Sequence, residues 1–266
     1  MEFWICHWLS VFAAGWVANV KSTPLVPLFY LKFLGSNSPL VLQELQIGGT
    51  SANYNRSNHK RYRLTTRLRW VKSGCRPVSN RERKAVAEYI VEFGQDGRAG
   101  EADGRLDAPA FHRNHEAIRA VLMQFLAGKS GDAIELGSGT GQHIVDFAHH
   151  LPDITWWPSD LNEKHLKSIE AWRAYSNLAN IRSPLRIDLA DPCWCPEMDG
   201  GHGPGNLVAV FCANVIHIAP WRVAEGLFAG AWRYLQPGGL VFLYGPFKRG
   251  GQHTAPSNAA FDSSLR

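Results

Sequence analysis

Cysteine is scarce: Cys6, Cys75, Cys193, Cys195 and Cys212 are the only five among 266 residues. That excludes a disulfide scaffold and makes a reducing compartment the default. Cys193-Trp194-Cys195 has no second pair and no nearby histidine set. A structural zinc site needs four ligands, so no metal is expected. Cys212 falls in an apolar run and reads as a small core residue. Long apolar runs are also lacking. Phe3 to Val20 holds 18 residues without Lys, Arg, Asp or Glu, against roughly 20 for a spanning helix. His7, Ser10 and Asn19 interrupt it, and no basic residue precedes it, so the n-region of a signal peptide is missing. Membrane contact through Phe3–Val20 is the weaker reading, and the cytoplasm is the expected location. No internal repeat is found.

Charge divides the chain. Residues 1–100 hold 14 Lys+Arg against 6 Asp+Glu, whereas residues 101–266 hold 14 against 17. The overall +5 therefore belongs to the first part. From Arg56 to Lys84 eleven basic residues face Glu82 alone. Three readings compete for this leader: an organelle-targeting segment, a basic arm for RNA or an anionic membrane, or upstream sequence from a misplaced start codon with no fold. Residues 35–60 lack periodicity and read as disordered. A boundary falls in Gly94–Asp107, rich in glycine and charge. The expected organisation is a poorly structured leader, 1–100, and a folded domain, 101–266. The acidic balance of that domain argues against a nucleic-acid partner.

What is there centres on Glu135-Leu136-Gly137-Ser138-Gly139-Thr140-Gly141. A short apolar run ends in an acid. Three glycines then alternate with small polar residues, and a helical pattern follows. Glycines let the backbone turn sharply and let a ligand come close. The following helix directs its free N–H groups at that ligand. The spacing is G-x-G-x-G, with Gln142-His143 next, not the G-x-G-x-x-G of dinucleotide sites. A nicotinamide oxidoreductase is disfavoured on that ground.

Asp160 lies 19 residues beyond Gly141, at the end of a second apolar run. Acids there hold ribose hydroxyls in nucleotide-binding α/β folds. The plainer reading of Asp160 is a helix N-cap. A third run, Pro184–Ile187, ends at Asp188, whose plainer role is a loop cap. Leu207–Cys212 and Leu240–Tyr244 read as buried strands. Between them, Trp221–Leu235 carries helical spacing and Pro237-Gly238-Gly239 marks its stop. A helix is expected over His115–Leu126. Strands alternating with helices predict an α/β fold with a doubly wound, mostly parallel sheet. Its ligand site lies beyond the strand C-terminal ends.

Four phrases make the resemblance specific: GSGTGQH at 137–143, WPSDLN at 157–162, FCANVIHIAPW at 211–221 and the stretch 245–266. With the acid before G-x-G-x-G, they resemble a small methyltransferase-like family, long catalogued as a domain of unknown function. It carries the class I fold of enzymes that use S-adenosyl-L-methionine (SAM). The resemblance covers about residues 108–266. It implies SAM as cofactor, held by Glu135, Gly137, Ser138, Gly139, Thr140, Gly141, Asp160, Leu161, Asp188, Leu189 and Asn214. A class I fold continues with two further strands after the fifth. The chain stops at Arg266, so the last strands are expected to be missing, and the fifth strand is exposed unless something else covers its edge.

Methyl transfer needs positioning above all, and a base only where the acceptor must lose a proton. His217 is the candidate base and Asn214 its neighbour in the site. Each also has a structural reading, as a cap. Arg113, Asn114, His143, Lys248, Arg249 and His253 are candidate substrate contacts. Arg113 and Asn114 are placed just before the first helix. The basic loop 245–254 reads as recognition of an acidic group, or as a lid. The expected partner is a small-molecule acceptor. The alternatives are a SAM-binding sensor without catalysis and, less favoured, the oxidoreductase.

Overall fold

In the computed structural model the described residues are 28–32, 41–45, 61–63, 102–191, 194, 204, 207–248 and 251–264. The run Phe3–Val20, most of the basic stretch, Cys193, Cys195 and Arg249 lie outside them.

The elements run β1 (Leu28–Lys32), β2 (Val41–Leu45), β3 (Arg61–Arg63), α1 (Pro109–Leu126), β4 (Gly131–Leu136), α2 (Gln142–His150), β5 (Ile154–Asp160), α3 (Glu163–Ser176), β6 (Leu185–Arg186), β7 (Leu207–Ala213), α4 (Trp221–Tyr234), β8 (Leu235–Tyr244) and α5 (Pro256–Ser264). One sheet takes the order β3-β2-β1-β8-β7-β4-β5-β6. Its five strands from β8 to β6 are parallel. This is a doubly wound α/β architecture with a mostly parallel sheet, as the alternation of strands and helices predicts.

Alternation along the strands explains the two faces. Trp156, Phe211 and Phe242 pack under α1 and α2 with Ile118, Leu122 and Phe147. Their neighbours Trp157, Val210 and Val241 face the other way, with Leu227 and Ala231 of α4 and Trp194. With both faces covered, the strands read as continuous apolar runs.

The far edge of β8 is covered. β1 pairs antiparallel with it, from Leu28↔Tyr244 to Lys32↔Leu240. β2 and β3 extend the sheet outward. Three short segments of the first hundred residues thus belong to the same sheet as the glycine loop.

Two boundaries differ from expectation. α1 starts at Pro109, six residues before His115, because a proline at the first helical position fits there at no cost in hydrogen bonds. Arg113 and Asn114 are therefore inside the helix rather than ahead of it. Pro237-Gly238-Gly239 does not separate α4 from its strand. β8 already begins at Leu235, and the register slips between Leu207 and Ala209 where the triplet passes. The helix ends before it, and the triplet forms a bulge.

Candidate functional site

The glycine loop joins β4 to α2 at the C-terminal edge of the sheet. Gly137, Gly139 and Gly141 all have positive φ. A Cβ on Gly141 would meet the Ile169 backbone at 2.9 Å, and one on Gly137 would meet Val215 Cγ2 at 2.5 Å. At both positions only glycine combines the left-handed backbone with the available space.

Hydrogen bonds fix the loop from below. Ser138 N–H donates to the Ser159 carbonyl at 2.7 Å. Ser159 N–H returns to Ser138 Oγ at 3.1 Å, and Ser159 Oγ donates to the Glu135 carbonyl at 2.7 Å. Asp160 ties the loop to the next strand. Its Oδ2 accepts from Gly139 N–H, and its Oδ1 from Asn162 N–H, each at 2.9 Å. His165 Nδ1 stands 3.2 Å from Oδ1. A carboxylate has about four acceptor positions, and the two backbone N–H groups take two of them. Asp160 is not the N-cap of α3; Asn162 is, accepting from Lys164 N–H. Leu161 is half-buried between them.

Glu135 lies beneath this loop with 1% of its surface exposed. Among the described residues its Oε2 has no hydrogen-bond partner. Burial pushes its carboxyl up to about 8, helped by the charge of Asp160 and opposed by the Ser138 hydroxyl. A buried acceptor without a donor is costly. It marks where a donor or cation is missing.

A strap over the loop was not foreseen in the sequence. Gln142 Oε1 accepts from Ala108 N–H at 2.7 Å and Thr140 Oγ1 at 2.9 Å, while Gln142 Nε2 donates to Asp107 Oδ1 at 2.7 Å. Ser168 Oγ donates to the Thr140 carbonyl and accepts from Leu106 N–H. Arg105 lies over the rings of Trp172 and Tyr175, 4.7 and 3.6 Å from their centroids. Residues 105–108 are thereby clasped onto α2 and α3. Apart from Thr140–Gln142, the polar pairs span 28–66 residues in sequence, so no local motif announces them.

A second cluster stands at the ends of β7 and β8. Asn114, 4% exposed, accepts at Oδ1 from His143 Nε2 at 2.9 Å. The Asn114 side chain and the Arg113 charge both work against the upward shift that burial gives the Tyr244 hydroxyl. Asn214 N–H donates to the Tyr244 carbonyl at 2.9 Å. Asn214 itself has φ +57°, a conformation asparagine tolerates and that often accompanies functional sites. Phe111 and Phe147 flank the His143 ring, at 5.1 and 5.6 Å between centroids. Burial, then the neighbouring His115, lowers His143 to about 4. Burial raises Tyr244.

His217 packs apart from that cluster. A Cβ on Gly245 would come within 2.0 Å of His217 Nε2, and the Phe247 ring stands edge-on at 4.4 Å. Among the described residues its buried Nε2 has no hydrogen-bond partner, and burial lowers the ring to about 4.

Other sequence candidates are occupied elsewhere. Lys248 Nζ and His253 Nε2 both reach Asp262 Oδ2 of α5, at 3.1 and 3.3 Å. The loop is fastened to its own helix. Tyr244 and Lys248 do carry the Tyr-x-x-x-Lys spacing of some hydride-transferring enzymes. On a helix that spacing would put them on one face; here one ends a strand, and the lysine pairs with Asp262. Asp188 Oδ1 accepts from Ala190 N–H at 2.9 Å, which is the loop-cap role, and Leu189 is buried beside Gly226. Among the described residues no group of His, Cys, Asp and Glu is placed to hold a metal. None of their helices is long and apolar enough to cross a membrane.

Comparison with solved structures finds class I methyltransferases at low identity. Coclaurine N-methyltransferase, solved with N-methylheliamine and SAH, is 15% identical, covers 57% of this chain and 38% of its own, and has a TM-score of 0.37. An O-methyltransferase family protein from Burkholderia thailandensis is 18% identical over 50% of this chain and 38% of its own, with a TM-score of 0.41. A SAM-dependent methyltransferase from Geobacter sulfurreducens, with S-adenosyl-L-homocysteine, is 16% identical over 49% and 47%, at 0.36. The chain thus spans about half the length of these proteins or less. At the level of family the match is direct: the model described as "Protein of unknown function (DUF938)" covers residues 105–266, and the chain belongs to that family.

Proposed function

We propose that this protein is a SAM-dependent methyltransferase acting on a small molecule. The observation that carries the reading is the Glu135–Asp160 frame around the glycine loop. Gly137 and Gly141 leave no room for side chains. The buried Glu135 Oε2 lacks a donor, and an ammonium or sulfonium group above the loop would supply the missing positive charge. Asp160, at the end of β5, keeps acceptor capacity for a ribose hydroxyl beyond its two backbone N–H bonds. Asp188 and Leu189 would flank the adenine, with Leu161 beside the ribose. These features fit SAM.

When bound, SAM supplies a methyl carbon on a sulfonium; an acceptor lone pair forms the new bond while the carbon–sulfur pair leaves with sulfur, which becomes a neutral thioether. The protein's own part is to hold and desolvate the acceptor. Orientation of this kind contributes roughly 7–11 kcal/mol. Asn214, held in its left-handed conformation at the end of β7, is placed to orient either partner. His217, neutral at physiological pH and packed under Gly245, serves as a hydrogen-bond acceptor rather than a proton store. Arg113, Asn114 and His143 contact the acceptor. Lys248 and His253, tied to Asp262, face the acceptor from the loop that follows β8.

The experiment uses SAM carrying a tritiated methyl group, the full chain and a fractionated small-molecule extract. Label in a small-molecule fraction, lost with Asp160→Ala, is the expected result. SAH binding without any transfer would move the reading to a SAM-binding sensor, which the burial of both histidines favours.

A further inference from the structure

An unbroken line of hydrogen bonds joins an exposed histidine to the glycine loop. His112 Nε2 faces Asp107 Oδ1 at 2.6 Å. A carboxylate only accepts, so Nε2 carries a proton. The same oxygen accepts from Gln142 Nε2 at 2.7 Å. Gln142 Oε1 in turn accepts from Ala108 N–H at 2.7 Å and from the Thr140 hydroxyl at 2.9 Å. The Ala108 N–H settles which end of the amide is oxygen, so donor and acceptor are defined at every step. The His112 side chain is 51% exposed, whereas Thr140 is 4% exposed. The line starts in solvent and ends inside the loop.

It runs through the strap. Leu106 N–H donates to Ser168 Oγ, which donates to the Thr140 carbonyl at 2.7 Å. Thr140 is therefore gripped at its hydroxyl by Gln142 and at its carbonyl by Ser168, and both grips also hold strap residues. Seating of the strap and shape of the loop form one hydrogen-bonded unit. Gln142 and Thr140 do not titrate, but histidine changes charge near neutral pH. A charged donor bonds a carboxylate roughly twice as strongly as a neutral one. Asp107 is the carboxylate in contact with His112. Arg113 and Glu116 lie beside it on α1, and the strap's Asp103 is paired with Arg105 at 2.8 Å. α2 meets the pair with the neutral Gln142. The rings of His112, His115 and His143 all stand against Phe111, at 5.4, 4.5 and 5.1 Å between centroids, and burial keeps His143 neutral.

We infer that Asp107 and His112 are positioning residues for the cofactor loop, and that protonation of His112 seats the strap and tightens the hold on the cofactor. A charged His112 strengthens its contact with Asp107, so the seated strap is favoured at low pH and loosens as pH rises and the histidine loses its charge. Loosening frees Gln142 from Asp107 and Ala108, and Thr140 loses its braces. The ligand must then order the loop itself, which costs affinity. The link to SAM rests on the methyltransferase reading; the response of the strap to pH does not.

Amide hydrogen exchange at Leu106 and Ala108 in the full chain reads the strap directly, as protection relative to unstructured peptide at pH 6 and at pH 8. Protection of both is expected to fall about threefold between pH 6 and pH 8. His112→Gln keeps a neutral donor and is expected to show the lower protection at both. Asp107→Asn, which keeps an acceptor without the charge, abolishes the response as well. A merely structural role for either residue would leave the pH profile in place. Calorimetry with SAH is expected to find the parent about threefold tighter than His112→Gln at pH 6 and equal to it at pH 8. Comparing the two chains at each pH cancels the titration of Glu135, whose carboxyl at about 8 changes charge over the same range. Equal protection at both pH values, or a response that survives His112→Gln, would overturn the inference. A pH-dependent strap with equal SAH affinities at pH 6 would overturn its coupling to the cofactor. Failure of SAH to bind at all would instead remove the cofactor reading, and hydrogen exchange still decides the strap.

Discussion

The two halves of the site are built in opposite ways. Above β4 and β5, the glycine loop is closed on itself: Ser138, Ser159, Asp160, Thr140 and Gln142 bond one another and the backbone within a few ångströms. Above β7 and β8, fewer polar groups bond one another; among the described residues His217 Nε2 has no hydrogen-bond partner there, as Glu135 Oε2 has none beneath the loop. The first half is a rigid cradle prepared before any ligand arrives, which lowers the ordering cost of binding. The second half leaves hydrogen-bonding capacity open for something that varies. A constant cofactor and a particular acceptor call for that division.

Breaking the cradle tests the comparison hardest. Gly141→Ala forces a left-handed alanine, which costs roughly 1–2 kcal/mol, and drives its Cβ to 2.9 Å from the Ile169 backbone. SAH affinity is expected to fall by about 100-fold or more, or the domain to unfold, by calorimetry and circular dichroism. The matched change on the other half, Tyr244→Phe, leaves SAH binding intact.

Glu135→Gln sharpens the comparison by pH. The native carboxyl, at about 8, holds its proton more tightly than the unfolded one, which titrates near 4.3. Folding therefore carries no penalty from this group below about pH 4.3. The penalty grows as pH rises and is complete above about 8, where it reaches a few kcal/mol. Glutamine removes it. Urea unfolding should show the variant gaining on the parent between pH 5 and pH 8.5; equal stability at both would contradict the buried, neutral acid.

Asp160→Asn keeps the shape and removes the charge. An expected loss of about tenfold in SAH affinity, larger than its effect on melting temperature, separates a ligand contact from a loop brace. The smallest effect is expected from Gln142→Ala. It releases Ala108, Thr140 and Asp107 together, loosens the strap and weakens SAH binding about threefold to tenfold. Increased proteolysis near residue 105 would show the same opening.

The same division explains what the sequence made legible. The glycine loop and Asp160 were readable because a turn and the acid after the next strand are local matters of spacing. The buried strands were readable because β7 and β8 are apolar on both faces. Arg113 and Asn114 were picked out but placed before a helix that begins at Pro109. Tyr244 was read as the end of a strand. The strap from Leu106 to Trp172 crosses 66 positions. The β1–β8 pairing joins Leu28 to Tyr244, from a stretch whose composition suggested no fold. Lys248 and His253 were read as free basic groups, because the sequence does not show that Asp262 returns to meet them.

The central claim is that this loop holds SAM. The most direct measurement is calorimetric titration of the full chain with SAH and, separately, with NAD. The account predicts one SAH bound at micromolar affinity or better, lost with Gly141→Ala, and no heat from NAD. Binding of NAD, or of neither compound by a folded chain, would contradict it.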